Sequence, residues 1–195
     1  MRPGRTAALL ALLAGGFLAG CAGNSTAITD QPLCRSGSGL GNGVILMAQS
    51  VPSASWIPCV RTALPLGWSF HHLVARNGAA TFWLDSDRDG VQAVEVRLEA
   101  TCDTAGATEI PSDREGMRRF ERVGQVDPTF VGHRYYLFAG GCLTFGFRLA
   151  GDSPGEALAL AADAVGTVRR ADVGAQVRRD SGGRLSLDPP PGGDG

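Results

Sequence analysis

The chain has 195 residues, a formal net charge of −1 at pH 7, and a composition that is 44% hydrophobic and 19% charged. A mildly acidic chain is a poor partner for nucleic acid or for anionic lipid headgroups, so both classes of binding are disfavoured. The length is sufficient for one domain with a hydrophobic core of its own.

The N-terminal segment has the organisation of a bacterial export signal. Arg2 and Arg5 form a positive start. An apolar run of about 13 residues, from Ala7 to Ala19, follows, whereas a membrane-spanning helix needs about 20. A short transmembrane anchor or a buried helix is the alternative. We predict that residues 1–20 are a cleaved signal peptide.

The four residues Leu18-Ala19-Gly20-Cys21 resemble the lipobox of bacterial lipoproteins. The resemblance implies cleavage just before Cys21 and a diacylglyceryl group, with fatty acids such as palmitate, on its thiol. Two acyl chains hold a protein on a membrane far better than one, so the mature chain is expected on the extracytoplasmic face of the cell membrane. The remainder resembles actinobacterial lipoproteins of unknown function, which implies no activity.

Small and polar residues mark both ends of the mature chain. Residues 21–43 are predicted to form a lipidated N-terminus and flexible tether. The glycines of residues 36–43 match neither a dinucleotide-binding fingerprint nor a P-loop. Residues 180–195, rich in proline and glycine, are expected to be a disordered tail. A single globular domain is predicted between them, over residues 44–179.

Four cysteines remain once Cys21 is assigned to the lipid. An even number in an exported domain predicts two disulfides, for which three pairings are possible. Pairing in sequence order closes the shorter loops, so Cys34–Cys59 and Cys102–Cys142 are favoured. No CxxC spacing is present and no histidine is near in sequence, which disfavours a zinc site or a redox-active pair.

The first half of the domain shows strand-like patterns. Val44–Ala48 is a short apolar run that fits either a strand or a buried helical turn. Trp68–Ala75 and Ala80–Leu84 flank Asn77-Gly78, a favoured pair for a tight hairpin turn. We therefore predict a β-hairpin over these residues.

Alternation of apolar and polar residues continues further along the chain. Val91–Cys102 places its apolar side chains on one face and its charges on the other, which predicts a half-buried antiparallel strand. Arg134–Phe138 and Leu143–Leu149 predict a second hairpin, around the glycines that follow Phe138.

A helix is predicted to begin after Ser153, because a capping serine, a proline and Glu156 follow one another in the order of a helix start. Apolar residues then recur at helical spacing, at Leu158, Ala161, Val165 and Val168. Several hairpins followed by one C-terminal helix predict an α+β fold, with the helix covering the apolar face of an antiparallel sheet.

The segment Asp85–Gly90 resembles the first half of a calcium-binding loop of the EF-hand type. Asp85, Asp87 and Asp89 alternate and a glycine follows, but Val96 stands where a bidentate glutamate belongs. A solvated hairpin turn is the alternative, since Asp and Gly are also favoured in turns. Calcium is accordingly the one cofactor considered.

The three histidines do not form a recognisable catalytic arrangement. His71 and His72 are adjacent on a predicted strand, so they are expected to face opposite sides and not to act as paired ligands. His133 begins another strand, and no Gly-x-Ser-x-Gly elbow marks a nucleophile. We predict no catalytic residue.

Two further groups are candidates for binding. Residues 111–122 contain four arginines that could bind an anion, although a solvated connection with internal ion pairs is favoured. Five aromatic residues could form a sugar-binding platform, although aromatic residues on strands are more often part of the core. These are Trp56, Trp68, Trp83, Tyr135 and Tyr136.

Taken together, these features predict a non-enzymatic lipoprotein that is anchored to the membrane by lipid and binds a protein or polymer of the cell envelope, and not nucleic acid. One alternative is an envelope hydrolase that uses a histidine. Another is a calcium-dependent binding module built on Asp85, Asp87 and Asp89.

Overall fold

The computed structural model describes residues 25–35 and 39–190. The predicted signal peptide, the lipobox with Cys21 and residues 191–195 of the predicted tail lie outside them. In the part of the chain that is described, no helix is both long and apolar enough to cross a bilayer.

Ten strands and three helices follow one another along the described chain. In chain order they are β1 (Thr26–Ile28), α1 (Asn42–Ser50), β2 (Trp56–Val60), β3 (Trp68–Arg76), β4 (Ala79–Ser86), β5 (Gly90–Glu99), β6 (Thr108–Ile110), β7 (Arg118–Gln125), β8 (Phe130–Phe138), β9 (Gly141–Leu149), α2 (Pro154–Ala164), β10 (Val165–Arg169) and α3 (Arg170–Asp180).

Eight strands form one antiparallel sheet in the order β1-β3-β4-β5-β9-β8-β7-β6, and β2 pairs with β10 in a separate two-stranded sheet. The predicted α+β fold, with an antiparallel sheet of hairpins and a C-terminal helix, is therefore confirmed. The described residues contain three helices where one was predicted.

The two faces of the large sheet differ sharply in burial. One face packs against α1, α2 and the small sheet and forms the core. Its central cross-strand row is fully buried and consists of Leu73, Phe82, Val96 and Phe145. The opposite face carries half-exposed polar and aromatic side chains, among them His72, Trp83 and Glu95.

Both predicted hairpins are present. Asn77-Gly78 connects β3 to β4, with Gly78 at φ 86°, a conformation that glycine adopts without strain. Gly140 connects β8 to β9 at φ 70°, and a Cβ atom there would overlap the carbonyl oxygen of Ser53. The second turn therefore needs glycine for its backbone conformation and for its close approach to the loop after α1.

The predicted C-terminal helix is divided by a strand. α2 ends at Ala164, and Val165–Arg169 pair with Val60–Trp56 of β2 before α3 begins. The interrupting sequence contains valine, glycine and threonine, which are poor helix formers. Pairing with β2 satisfies their backbone groups and buries Val165 fully, so tertiary contacts prevail over the helical spacing of the apolar residues.

Parts of the expected tether and tail belong to the domain. β1 pairs with the outer edge of β3, and Leu33 forms a bridge to Val60. At the other end, Leu187 packs against the core, and Asp188 N–H donates a hydrogen bond to Gln49 Oε1 at 2.8 Å. Apolar side chains within these polar segments account for the difference.

Both favoured disulfides are formed. The Cα atoms are 4.9 Å apart in Cys34–Cys59 and 5.8 Å apart in Cys102–Cys142, within the usual range. The first bridge attaches the N-terminal segment to β2, and the second joins the segment after β5 to the start of β9.

Candidate functional site

A cleft of about 560 Å³ opens beside the small sheet and the Cys34–Cys59 disulfide. Three arginines, Arg35, Arg61 and Arg114, line it together with the indole of Trp56. Two acidic residues, Asp113 and Glu115, also line it. We refer to this feature as the arginine cleft.

The disulfide and the small sheet determine where the arginines lie. Arg35 and Arg61 each lie close in sequence to a bridged cysteine, so the disulfide brings two distant parts of the chain to one place. Gly166 of β10 makes room for them, because a Cβ there would lie 3.1 Å from Cys34 Sγ and 3.2 Å from Arg61 Cγ. These separations are tighter than ordinary van der Waals contacts.

Arg114 is the fixed cation of the arginine cleft. Its Nη2 donates hydrogen bonds to the carbonyl oxygens of Ala162 (2.9 Å) and Val165 (2.7 Å) at the C-terminal end of α2. Its guanidinium carbon lies 4.6 Å from the centroid of the Tyr136 ring. Burial lowers the pKa of Arg114, and the charge of Arg61 acts in the same direction, against Tyr136 and Asp113.

The negative charges of the cleft do not cancel the positive ones. Burial alone would raise the pKa of Asp113, but a hydrogen bond from the Tyr136 hydroxyl (3.0 Å) and the nearby charges of Arg119 and Arg114 hold it below its ordinary value. Its charge is thus shared with Arg119, outside the cleft lining. Arg35 and Arg61 are exposed and form no ion pair within the described residues.

Trp56 separates the arginine cleft from a second concavity of about 780 Å³. The Arg169 guanidinium lies 5.2 Å from the Trp56 ring centroid, close enough for a cation–π interaction. Arg170 and Arg178 also line this second concavity, and the chain segment at Leu187–Pro190 forms one of its walls. The surface around Trp56 is therefore bordered by cationic side chains on both sides.

Two of the three aspartates considered for calcium, Asp85 and Asp89, have separate structural partners. Asp85 Oδ1 accepts a hydrogen bond from Gln92 N–H (2.7 Å), and Asp89 Oδ1 accepts from Ala150 and Gly151 N–H (both 2.9 Å). The side chain of Asp89 also accepts from the Ser86 hydroxyl (2.7 Å).

Asp87 and Asp89 line a small cleft of about 340 Å³, which they share with Asp152 and Glu156. Among the described residues, no three His, Cys, Asp or Glu side chains are arranged to hold one metal ion. Calcium binding by Asp85, Asp87 and Asp89 stays a prediction.

The expectation that His71 and His72 lie on opposite faces is wrong. The register shifts between Phe70 and His72, which leaves His71 as an extra residue of β3. This β-bulge breaks the simple alternation, and the two imidazole rings are 4.7 Å apart, centroid to centroid.

His133 is not part of that pair, because three strands lie between β3 and β8. Burial lowers the pKa of His133, and Arg122 and Arg97 act in the same direction, against Glu95. The structure thus brings together two of the three histidines considered for a hydrolase.

Two of the four arginines in the charged segment 111–122 are paired with carboxylates of the large sheet. Arg118 forms an ion pair with Glu109 at 2.7 Å, and Arg119 and Arg134 both donate to Glu121 Oε1, at 2.6 and 2.5 Å. Part of this segment is strand β7 rather than an irregular connection. Only Arg114 of its four arginines lines the arginine cleft.

The aromatic residues considered for a sugar-binding platform are dispersed. Trp56 lies at the arginine cleft, Trp68 at the cleft lined by Asp87 and Asp89, and Trp83 on the half-exposed face of the large sheet. Tyr136 is fully buried beneath Arg114. They do not form one surface.

Sequence reasoning missed the combination of Arg35, Arg61 and Trp56. A usable signal was present, because the favoured Cys34–Cys59 pairing already places the arginines that follow these cysteines side by side.

No family model, no curated protein and no solved structure matches this chain.

Proposed function

We propose that this chain is a lipid-anchored, extracytoplasmic binding protein without enzymatic activity, and that its arginine cleft binds an anionic component of the cell envelope. The observation that carries the proposal is the convergence of Arg35, Arg61 and Arg114 on one cleft beside Trp56. The ligand class is a polymer that bears phosphate or carboxylate groups.

Guanidinium chemistry supports this ligand class. Arginine presents planar, paired donors that match a phosphate or carboxylate, and charge-assisted hydrogen bonds are roughly twice as strong as neutral ones. Arg114 is held in place by its hydrogen bonds to the end of α2, while Arg35 and Arg61 are exposed and able to contact a ligand. The flat ring of Trp56 adds an apolar wall.

The size of the cleft supports a ligand segment of a few polymer repeat units rather than a single ion. Ligand pockets generally enclose about 300–1,000 Å³, and this cleft encloses about 560 Å³. The small net charge of −1 for the whole chain makes the attraction local to the cleft, which disfavours nucleic acid as the ligand.

Binding can be tested by calorimetric titration of the purified protein with poly(glycerol phosphate) and, separately, with polyglutamate. The double variant Arg35→Gln/Arg61→Gln should weaken binding of the preferred polymer by about tenfold or more, since each charge-assisted bond contributes roughly 1.5–3 kcal/mol. Arg114 is left intact because it also supports α2.

The matched control is Arg76→Gln/Arg148→Gln, which removes the same charge from exposed positions on β3 and β9. It should change the affinity less than twofold. Equal losses in both double variants would indicate nonspecific charge attraction, and no binding of either polymer would refute the proposed ligand class.

Anchoring requires its own test. In the producing bacterium, Cys21→Ala should leave the protein unprocessed or release it from the membrane fraction, because the acceptor of the lipid is absent. Normal processing with unchanged membrane retention would contradict the anchor, whatever the outcome of the polymer titration.

A further inference from the structure

The half-exposed face of the large sheet carries a pair of neighbouring histidines. The β-bulge at His71 places its ring 4.7 Å from that of His72, with the ring planes at 60°. Two imidazoles this close together can both donate a nitrogen lone pair to one metal ion.

Asp85 determines which nitrogen of His71 is available. His71 Nδ1–H donates a hydrogen bond to Asp85 Oδ2 at 2.9 Å, and a carboxylate can only accept. The lone pair is therefore on Nε2, the other ring nitrogen. A carboxylate that orients a histidine in this way is the usual outer partner of a metal-binding imidazole.

Asp85 is itself held in position. Its Oδ1 accepts a hydrogen bond from the backbone N–H of Gln92 at 2.7 Å. Gln92 adopts φ 54°, an uncommon conformation for a residue other than glycine. The His71 side chain is 35% exposed, so its free nitrogen can be reached from solvent.

His72 is oriented by stacking. Its ring lies 4.5 Å from the ring of Trp83 with an interplanar angle of 24°, and Trp83 is fixed by donation from Nε1–H to Glu95 Oε2 at 3.1 Å. Within the described residues, no hydrogen bond occupies the ring nitrogens of His72. Both imidazoles are thus held in position, and each keeps a ring nitrogen that can bind a metal ion.

We propose that His71 and His72 form a binding site for a divalent transition-metal ion, with Asp85 as the positioning residue. Copper(II) is the favoured ion, because imidazole suits it and it binds nitrogen sites more tightly than zinc or nickel. No third His, Cys, Asp or Glu side chain of the described chain completes the site, so water or a second molecule fills the other positions.

Copper(II) titration followed by tryptophan fluorescence tests this site, because bound copper quenches an indole that is stacked on one of its ligands. His71→Gln and His72→Gln should each weaken copper binding at least tenfold. Asp85→Asn should weaken it about tenfold, within the range usual for outer partners. Electron paramagnetic resonance of the wild-type complex should show coupling to two imidazole nitrogens.

The matched control is His133→Gln, which removes a histidine on β8, separated from β3 by three strands, and should leave the affinity unchanged. The proposal is overturned if His71→Gln and His72→Gln bind copper as tightly as the wild type, or if His133→Gln causes the same loss.

If a variant fails to fold, chemical modification of the wild-type histidines replaces it. Copper should protect His71 and His72, but not His133, from diethylpyrocarbonate, as read by peptide mass mapping. Modification of His71 and His72 that is unaffected by copper would overturn the proposal.

Discussion

Trp56 and Trp83 both lie beside charged side chains, but the charges around them are balanced differently. Trp83 donates to Glu95, whose other carboxylate oxygen accepts two hydrogen bonds from Arg97, at 2.9 and 2.6 Å. Trp56 lies beneath Arg169, and neither Arg169 nor the nearby Arg61 forms an ion pair with any described residue.

This contrast separates charges that hold the fold from charges that are available to a ligand. Beside Trp83 on the large sheet, the carboxylate of Glu95 is paired with Arg97, so little attraction for a charged ligand is left over there. Around Trp56 the cations are unmatched within the described chain, in a protein whose net charge is slightly negative. Local excess of positive charge, not overall composition, is what marks the proposed binding surface.

The largest expected effect comes from removing either disulfide. The native disulfides Cys34–Cys59 and Cys102–Cys142 close loops of 25 and 40 residues. Replacing both cysteines of either bridge by alanine should therefore lower the free energy of unfolding by about 3.5–4 kcal/mol. Only the first should also weaken binding in the arginine cleft. Denaturant titration measures the loss of stability, and polymer titration measures the loss of binding. Equal losses of polymer binding in the two double variants would contradict the contrast between the two regions.

A smaller effect is expected from Gly166→Ala. The added methyl group meets Cys34 Sγ and Arg61 Cγ, and overpacking of this kind costs about 1–3 kcal/mol of stability. The affinity of the cleft should fall with it, because Arg61 is displaced.

Gly155→Ala is the matched control, since a Cβ atom there meets nothing within 4 Å. It should leave the free energy of unfolding unchanged or raise it by up to about 1 kcal/mol. If Gly166→Ala proves equally benign in thermal denaturation, the close approach at the cleft floor is not a constraint.

The smallest effect concerns Glu121. Burial alone would raise the pKa of this carboxyl, but Arg119 and Arg134 hold it below its ordinary value of 4.5. The folded state therefore favours the ionised form, so the stabilisation is complete above about pH 4.5 and is lost as the pH falls through the folded-state pKa. Glu121→Gln should lower stability by about 1 kcal/mol at pH 7, after allowance for solvent screening.

The measurement is denaturant unfolding of wild type and Glu121→Gln between pH 3 and pH 7. The difference between the two proteins should shrink toward acidic pH. Glu99→Gln, at an ion pair with a 4.0 Å separation, should show a smaller difference at pH 7. A gap that widens on acidification would contradict the pairing described for Glu121.

Local patterns were sufficient for the hairpins and the disulfides. The Asn77-Gly78 turn and the alternation in β5 depend on neighbours in sequence, and loop length was enough to favour the observed cysteine pairing. The division of the C-terminal helix could not be read in the same way, because Val165–Arg169 become a strand only through pairing with distant β2.

The candidate sites were harder to predict for the same reason. The alternation that identified β3 as a strand led to the wrong faces for His71 and His72, since a bulge leaves no clear mark in a single sequence. Arg35, Arg61 and Arg114 span 80 residues of the chain, and they meet only because a disulfide and a helix end bring them together.

The position of strand β1 limits how far the domain can lie from the membrane. The strand begins at Thr26, so a lipid on Cys21 would leave a linker of at most about 18 Å between the bilayer surface and the edge of the sheet. With so short a linker the domain would stay next to the lipid headgroups and would not reach farther into the envelope. Whatever binds it must then come to the membrane, either embedded there or fixed at its surface.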